Sequence, residues 1–202
     1  MKDSYLTISE KSTAEIKISK SRFISNAHPI SDREETTDII NDFKKKYYDA
    51  SHFPFAFRTG TDMNDFRYSD DGEPSGSAGK PLLESIDKSE LTNVLVIVAR
   101  YFGGVKLGVG GLRRAFLAAG EECLKNAEIV KHLITKSFQI EFGYHFIGAI
   151  MNLLEKENIV ILKNDSKEQC ILKIEVRQSI VEDIILKFTE ITNGDIKIHE
   201  IE

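Results

Sequence analysis

The chain has 202 residues, 41% of them apolar, with 27 basic and 32 acidic side chains and a formal net charge of −5. That length and composition exclude a disordered, collagenous or fibrous chain and leave material for one large core or two small ones. The negative balance excludes a protein that coats nucleic acid through bulk charge, so any RNA contact must be local.

The opening MKDSYLTISEKSTAEIKIS carries no apolar signal-type run, and the longest apolar stretches, LVIVA at 95–99 and FIGAIM at 146–151, fall far short of a bilayer span. The expectation is a cytoplasmic protein with no membrane contact. Alternation in AEIKIS (14–19) and RFISNAHPI (22–30) predicts two strands. Asp32 then caps a helix whose apolar stripe runs through Ile39, Ile40, Phe43 and Tyr47. HFPFAFRTG (52–60) and FRYSDDG (66–72) read as an antiparallel pair, with Pro54 favouring an edge or bulge. Pro81 suits the opening of a short helix, PLLESI, and NVLVIVARYF (93–102) reads as a buried strand. Apolar residues then recur at helical spacing from Leu112 to Asn126.

Beyond residue 132 the order is strand LITKSFQIEF, helix FIGAIMNLLEKEN, strands IVILKN and EQCILKIEV, helix SIVEDIILKFTEI and strand DIKIHEIE. This βαββαβ succession is the ferredoxin-like pattern. The reading is therefore an α/β (α+β) chain of two domains, 1–132 and 133–202. Their net charges are −1 and −4, so neither is a basic module.

Cys123 and Cys170 sit in apolar periodic contexts and read as core thiols. The five histidines show no metal-ligand spacing; His52, beside the aromatic strand, is the one that stands near a candidate site.

Chemistry concentrates in two glycine-rich loops, YSDDGEPSGSAGKP and RYFGGVKLGVGGLRR. Eight of the 13 glycines lie between Gly72 and Gly111, where they permit close backbone approach by a ligand. In the second loop a strand feeds Gly103, Gly104, Gly110 and Gly111 into a helix N-terminus, a place that favours an anion such as phosphate. Arg100, Lys106, Arg113 and Arg114 surround it, and residues 91–120 contain no Asp or Glu. Tyr101 and Phe102 supply rings for stacking on a base. The first loop offers Ser75, Gly76, Ser77, Gly79 and Lys80 at the start of another helix. Its carboxylates Asp70, Asp71 and Glu73 either hold Mg²⁺ together with a phosphorylated ligand or pair with the basic second loop. Neither loop is a nucleotide signature. Pro74 stands where a Walker loop needs glycine, Pro81 where it needs Ser or Thr, and LGVGGLRR lacks the third glycine of GxGxxG.

Together, SDDGEPSGSAGKP and VIVARYFGGVKLGVGGLRRAF resemble the signature of the Impact family, and the likeness runs through KSRFIS, KKYYDASH and the C-terminal βαββαβ segment of its bacterial, YigZ-like members. The resemblance implies a first domain like the second domain of ribosomal protein S5, and a ferredoxin-like second domain like the last domain of the translocation elongation factor. It also implies a translation-linked, stress-related role. The eukaryotic relative, which restrains a kinase of translation initiation, uses a further partner-binding domain, so its mechanism does not transfer directly. Two departures stand out. Only His52 is present in SHFPFAF, where relatives carry a second polar residue, and Val109 replaces a usual threonine.

Three functions remain open at this stage. One is a noncatalytic factor that binds RNA, the ribosome or a translation-related protein through the second loop. Another is a Mg²⁺-dependent enzyme acting on a phosphorylated small molecule or phosphodiester. The third is a pure protein-interaction role through the open face of the second domain's sheet, where KIEVR exposes Lys173, Glu175 and Arg177.

Overall fold

The computed structural model describes residues 3–165 and 169–201 and divides into two compact units. The first runs from Tyr5 to His132; the second comprises Leu133 onward together with Asp3 and Ser4. Helices and strands are mixed in both, in keeping with the expected α+β class.

The first unit is built on a five-stranded antiparallel sheet of order β2-β3-β6-β4-β5. Its strands are β2 (Ser12–Ile18), β3 (Ser21–Pro29), β4 (Phe55–Thr59), β5 (Asp65–Ser69) and β6 (Val94–Tyr101). The β2–β3 hairpin turns on two residues, Ser19 and Lys20, both with positive φ (47° and 68°), the backbone that matches the twist of a tight hairpin. β6 occupies the centre because VLVIVA buries both faces. Val94, Val96 and Val98 pack with Phe23 and Ala27 under two helices, α2 (Gly79–Lys88) and α3 (Gly108–Lys125). Leu95, Ile97 and Ala99 face the other way, where Ile97 and Ala99 meet Phe43 of α1 (Glu35–Lys46). A small two-stranded sheet of β1 (Ser4–Ile8) and β7 (Ile129–Leu133) was not foreseen, since neither segment alternates cleanly.

Three local expectations need correction. Asp70 and Asp71 lie beyond β5 rather than in it, because Asp70 turns the chain. Pro54 is on no edge: β4 lies between β5 and β6, and Pro54 sits just before it, where its carbonyl accepts from the Val98 amide at 3.0 Å. α3 begins at Gly108 rather than Leu112. Its first turn is mostly glycine and leaves no apolar period to read.

The second unit pairs β8 (Thr135–Phe142), β9 (Val160–Asn164), β10 (Cys170–Arg177) and β11 (Ile196–Ile201) in the order β11-β8-β10-β9, all antiparallel. With α4 (Ile147–Lys156) and α5 (Val181–Ile191) between strands, this is the ferredoxin-like arrangement. Phe138, Ile140, Leu172, Ile174 and Phe188 centre its core. Glu168 and Glu202, which the sequence placed in strands, lie outside the described residues.

Candidate functional site

The last residues of β6 set the charges of the site. Alternation sends Arg100 to the α2–α3 face, where its guanidinium lies 5.8 Å from the Phe23 ring, and Tyr101 to the α1 face. Arg100 is 6% exposed. Its Nη1 donates to both carboxylate oxygens of Glu73, at 2.5 and 2.7 Å, and Glu73 is 7% exposed. Such a pair survives burial because each charge neutralises the other. Among the described residues, Arg100 Nε is buried with no hydrogen-bond partner.

The first loop is closed upon itself. One carboxylate oxygen of Asp70 accepts from the amides of Ala78 and Gly79 at 2.9 and 2.8 Å, and the other accepts from Gly76 at 2.8 Å. The N-terminus of α2, expected to await an external anion, therefore already holds an internal one. Ser77 is fully buried with its hydroxyl donating to the Pro74 carbonyl at 2.6 Å. Gly79 is required by space, since a Cβ there would lie 2.6 Å from the Ser69 carbonyl oxygen. Ser75 and Lys80 are exposed beside this structure and are not among the residues lining the cavity of about 480 Å³ that Glu73 and Pro74 border.

Asp71 takes different partners. It forms an ion pair with Lys44 at 3.0 Å and accepts from the Phe53 amide at 2.8 Å, while its carbonyl meets His52 Nδ1 at 2.8 Å. A carbonyl only accepts, so Nδ1 carries the ring proton and Nε2 is left as an acceptor in the neutral ring.

These contacts correct the Mg²⁺ expectation. Asp70 caps a helix, Asp71 pairs with α1, and Glu73 neutralises Arg100, so the three carboxylates do not converge. Among the described residues no group of three His, Cys, Asp or Glu could hold a metal ion.

The second loop is open. Gly103 presses on the β2–β3 turn, where a Cβ would come within 2.1 Å of the Lys20 carbonyl carbon. On either side of it Phe102, Val105 and Lys106 are exposed, and Gly104 bends the chain with φ of 81°. The first turn of α3, which contains Gly110 and Gly111, has no acidic residue and no side-chain cap. Its leading amides thus keep the partial positive charge of a helix start.

The expected field of four positive charges is halved. Arg100 is neutralised by Glu73, and Arg113 donates to Glu84 of α2 at 2.5 and 2.6 Å. Lys106 and Arg114 are exposed and, among the described residues, have no ion-pair partner. Tyr101 is also withdrawn from stacking, because its hydroxyl donates to Asp49 at 2.7 Å and Arg22 lies 5.4 Å from its ring. Burial, with the Asp49 bond, pushes that phenol up to about 12.

Both loops border one cavity of about 480 Å³. Glu73 and Pro74 come from the first, Arg100, Phe102 and Lys106 from the second, and His52 from the segment before β4. Leu107, Val109 and Leu112 make much of the remaining wall apolar. Gly76, Ser77, Gly79, Gly103, Arg113 and Arg114 are not in it. Leu107, Leu112 and Pro74 were missed as site residues; the signal available for them was apolar or rigid residues interleaved with the glycines of the loops.

Comparison with known proteins gives consistent matches. The sequence model of the Impact N-terminal domain matches residues 19–124. IMPACT family member YvyE of Bacillus subtilis is 34% identical over 202 residues, covering 100% of this chain and 93% of its own. IMPACT family member YigZ of Escherichia coli is 27% identical, covering 99% of each. A crystal structure of a hypothetical protein superposes with a TM-score of 0.70 at 26% identity, covering 100% of this chain and 99% of that one.

Proposed function

The chain belongs to the Impact family, and from that premise we propose that it is a noncatalytic, translation-linked factor that binds RNA, free or in the ribosome, through the second glycine loop. The observation that carries this is the uncapped N-terminus of α3, flanked by Lys106 and Arg114 with no ion-pair partner among the described residues. Helix-start amides and unpaired cations are the groups that hold phosphate oxygens, and they do so without reading sequence. Phe102, 50% exposed, adds a ring for a base.

A binding role fits better than catalysis for a chemical reason. The carboxylates that a metal-assisted reaction would use are held by internal partners. Ser77, the buried hydroxyl of the first loop, donates to a backbone carbonyl and not to a base.

The test is fluorescence anisotropy with single-stranded RNA across a salt series. Each phosphate contact contributes a slope of about 0.7 in log affinity against log salt on a single strand, so Lys106→Ala/Arg114→Ala should lower the slope by about 1.4 and weaken binding. Arg113→Ala, whose side chain is tied to Glu84, should change the slope far less. Equal affinity and slope in wild type and the double variant would overturn the proposal.

A further inference from the structure

The 480 Å³ cavity between the loops is more than a phosphate contact, and its volume lies within the ~300–1,000 Å³ of pockets that enclose a small ligand. Three features of its wall describe what it would hold. The first is a charge-paired wall: Arg100 is more than nine-tenths buried, lines the cavity and is held by Glu73, so this end offers a planar guanidinium whose charge is already met. The second is the start of α3, which presents Gly108 and Val109 to the same space with Lys106 beside them. The third is a hydrophobic and planar surface. Phe102 stands 5.7 Å from the Arg100 guanidinium, with Pro74 and Leu107 on the same cavity.

Anion at one part, flat apolar body at another, and a few hydrogen-bonding groups between: we infer that the cavity seats one nucleoside monophosphate unit. Its phosphate lies at the α3 start and Lys106, and its base rests against Phe102 within reach of His52. With Nδ1–H donated to the Asp71 carbonyl, Nε2 is the ring nitrogen of His52 that faces a base N–H as acceptor. A sugar phosphate would leave the apolar wall unmatched, and inorganic phosphate would leave most of the volume unfilled. The inference rests on the reading of the α3 start as a phosphate site. The unit comes either from an RNA strand or from a free nucleotide.

The test is calorimetric titration of the whole chain with the four nucleoside monophosphates, the matching nucleosides, inorganic phosphate and a 12-nucleotide single-stranded RNA. At least one monophosphate should bind ten times or more tighter than its nucleoside and than phosphate. Phe102→Ala should weaken that monophosphate about tenfold or more. Val109→Asp is the sharper variant, because a carboxylate in the first turn favours the helix while occupying and repelling the anion position. It should abolish monophosphate binding without lowering the melting temperature. A monophosphate that binds no better than phosphate, or is indifferent to both variants, overturns the seat. RNA binding without any monophosphate binding also overturns it and leaves the RNA proposal standing. Monophosphate binding without RNA binding supports the seat as a free-nucleotide site and removes the RNA proposal. Competition of the two probes supports the seat as a place for one nucleotide of a strand.

Discussion

At the scale of single residues, Glu73 has a large energetic consequence. It is 2% exposed in its side chain and its one cationic partner, Arg100, is 8% exposed. Removing one member of a buried pair leaves the other charged in a poor medium, at a cost of about 3–5 kcal/mol. Glu73→Gln should therefore lower the urea midpoint strongly, and Glu73→Gln/Arg100→Met should recover much of that loss. A double variant no more stable than the single one would show that shape, not charge pairing, governs this position.

His28 gives a pH-dependent prediction. Burial, with a smaller contribution from Lys11, lowers its imidazole to about 4 from an ordinary 6.5. The folded chain therefore keeps His28 neutral where the unfolded chain would protonate it. Between those values the unfolded state binds more protons, so this residue's contribution to stability is present above pH 6.5 and falls as pH drops towards 4. Denaturant midpoints at pH 7 and pH 5 should differ more in wild type than in His28→Gln. Lys11, Asp42 and Lys46 border the same recess, and leaving them intact in the variant keeps the comparison specific to the imidazole.

At the scale of elements, the two helix starts that follow glycine loops behave oppositely. α2 is closed by Asp70, whose carboxylate accepts from three amides. Losing a capping side chain costs 0.5–2 kcal/mol, and three charge-assisted bonds put Asp70→Ala at about the upper end. Asp70→Ala should lower the chemical-denaturation midpoint accordingly while leaving RNA affinity little changed, since Asp70 does not line the cavity at the α3 start. Large loss of RNA affinity at full stability would instead assign the anion site to α2. α3 has no such internal cap, which is why its first turn is the place where a ligand would meet unpaired amides.

For the whole molecule, the relevant quantity is how charge divides. The segment from 133 onward carries a net −4 and the remainder −1, so positive charge is concentrated only locally, as at the second loop. An isolated fragment ending after β7 should keep RNA affinity within about twofold of the full chain, measured by the same anisotropy titration. A fragment that folds yet loses affinity tenfold would place the dominant contact in the ferredoxin-like unit. The steep salt dependence of such binding follows from a small cationic site on an acidic protein.

Element order was legible from local pattern because strand and helix periods depend on near neighbours. The alternation of 22–30, the apolar run around Val96 and the βαββαβ succession after residue 132 each appear as secondary structure. The β1–β7 pair and the early start of α3 escaped, since their residues have no readable period. The identity of the family was likewise carried by contiguous stretches, the two glycine loops foremost. What only the tertiary structure decided is which of the loop charges are left over. Glu73 meets Arg100 across 27 positions, Glu84 meets Arg113 across 29, and Asp70 turns back on amides six to nine residues ahead. The sequence by itself determined that basic residues and glycines gather at a helix start. Neutralisation depends on distances between side chains brought together by sheet order and helix packing, and those distances made the first loop self-contained and left the second one open.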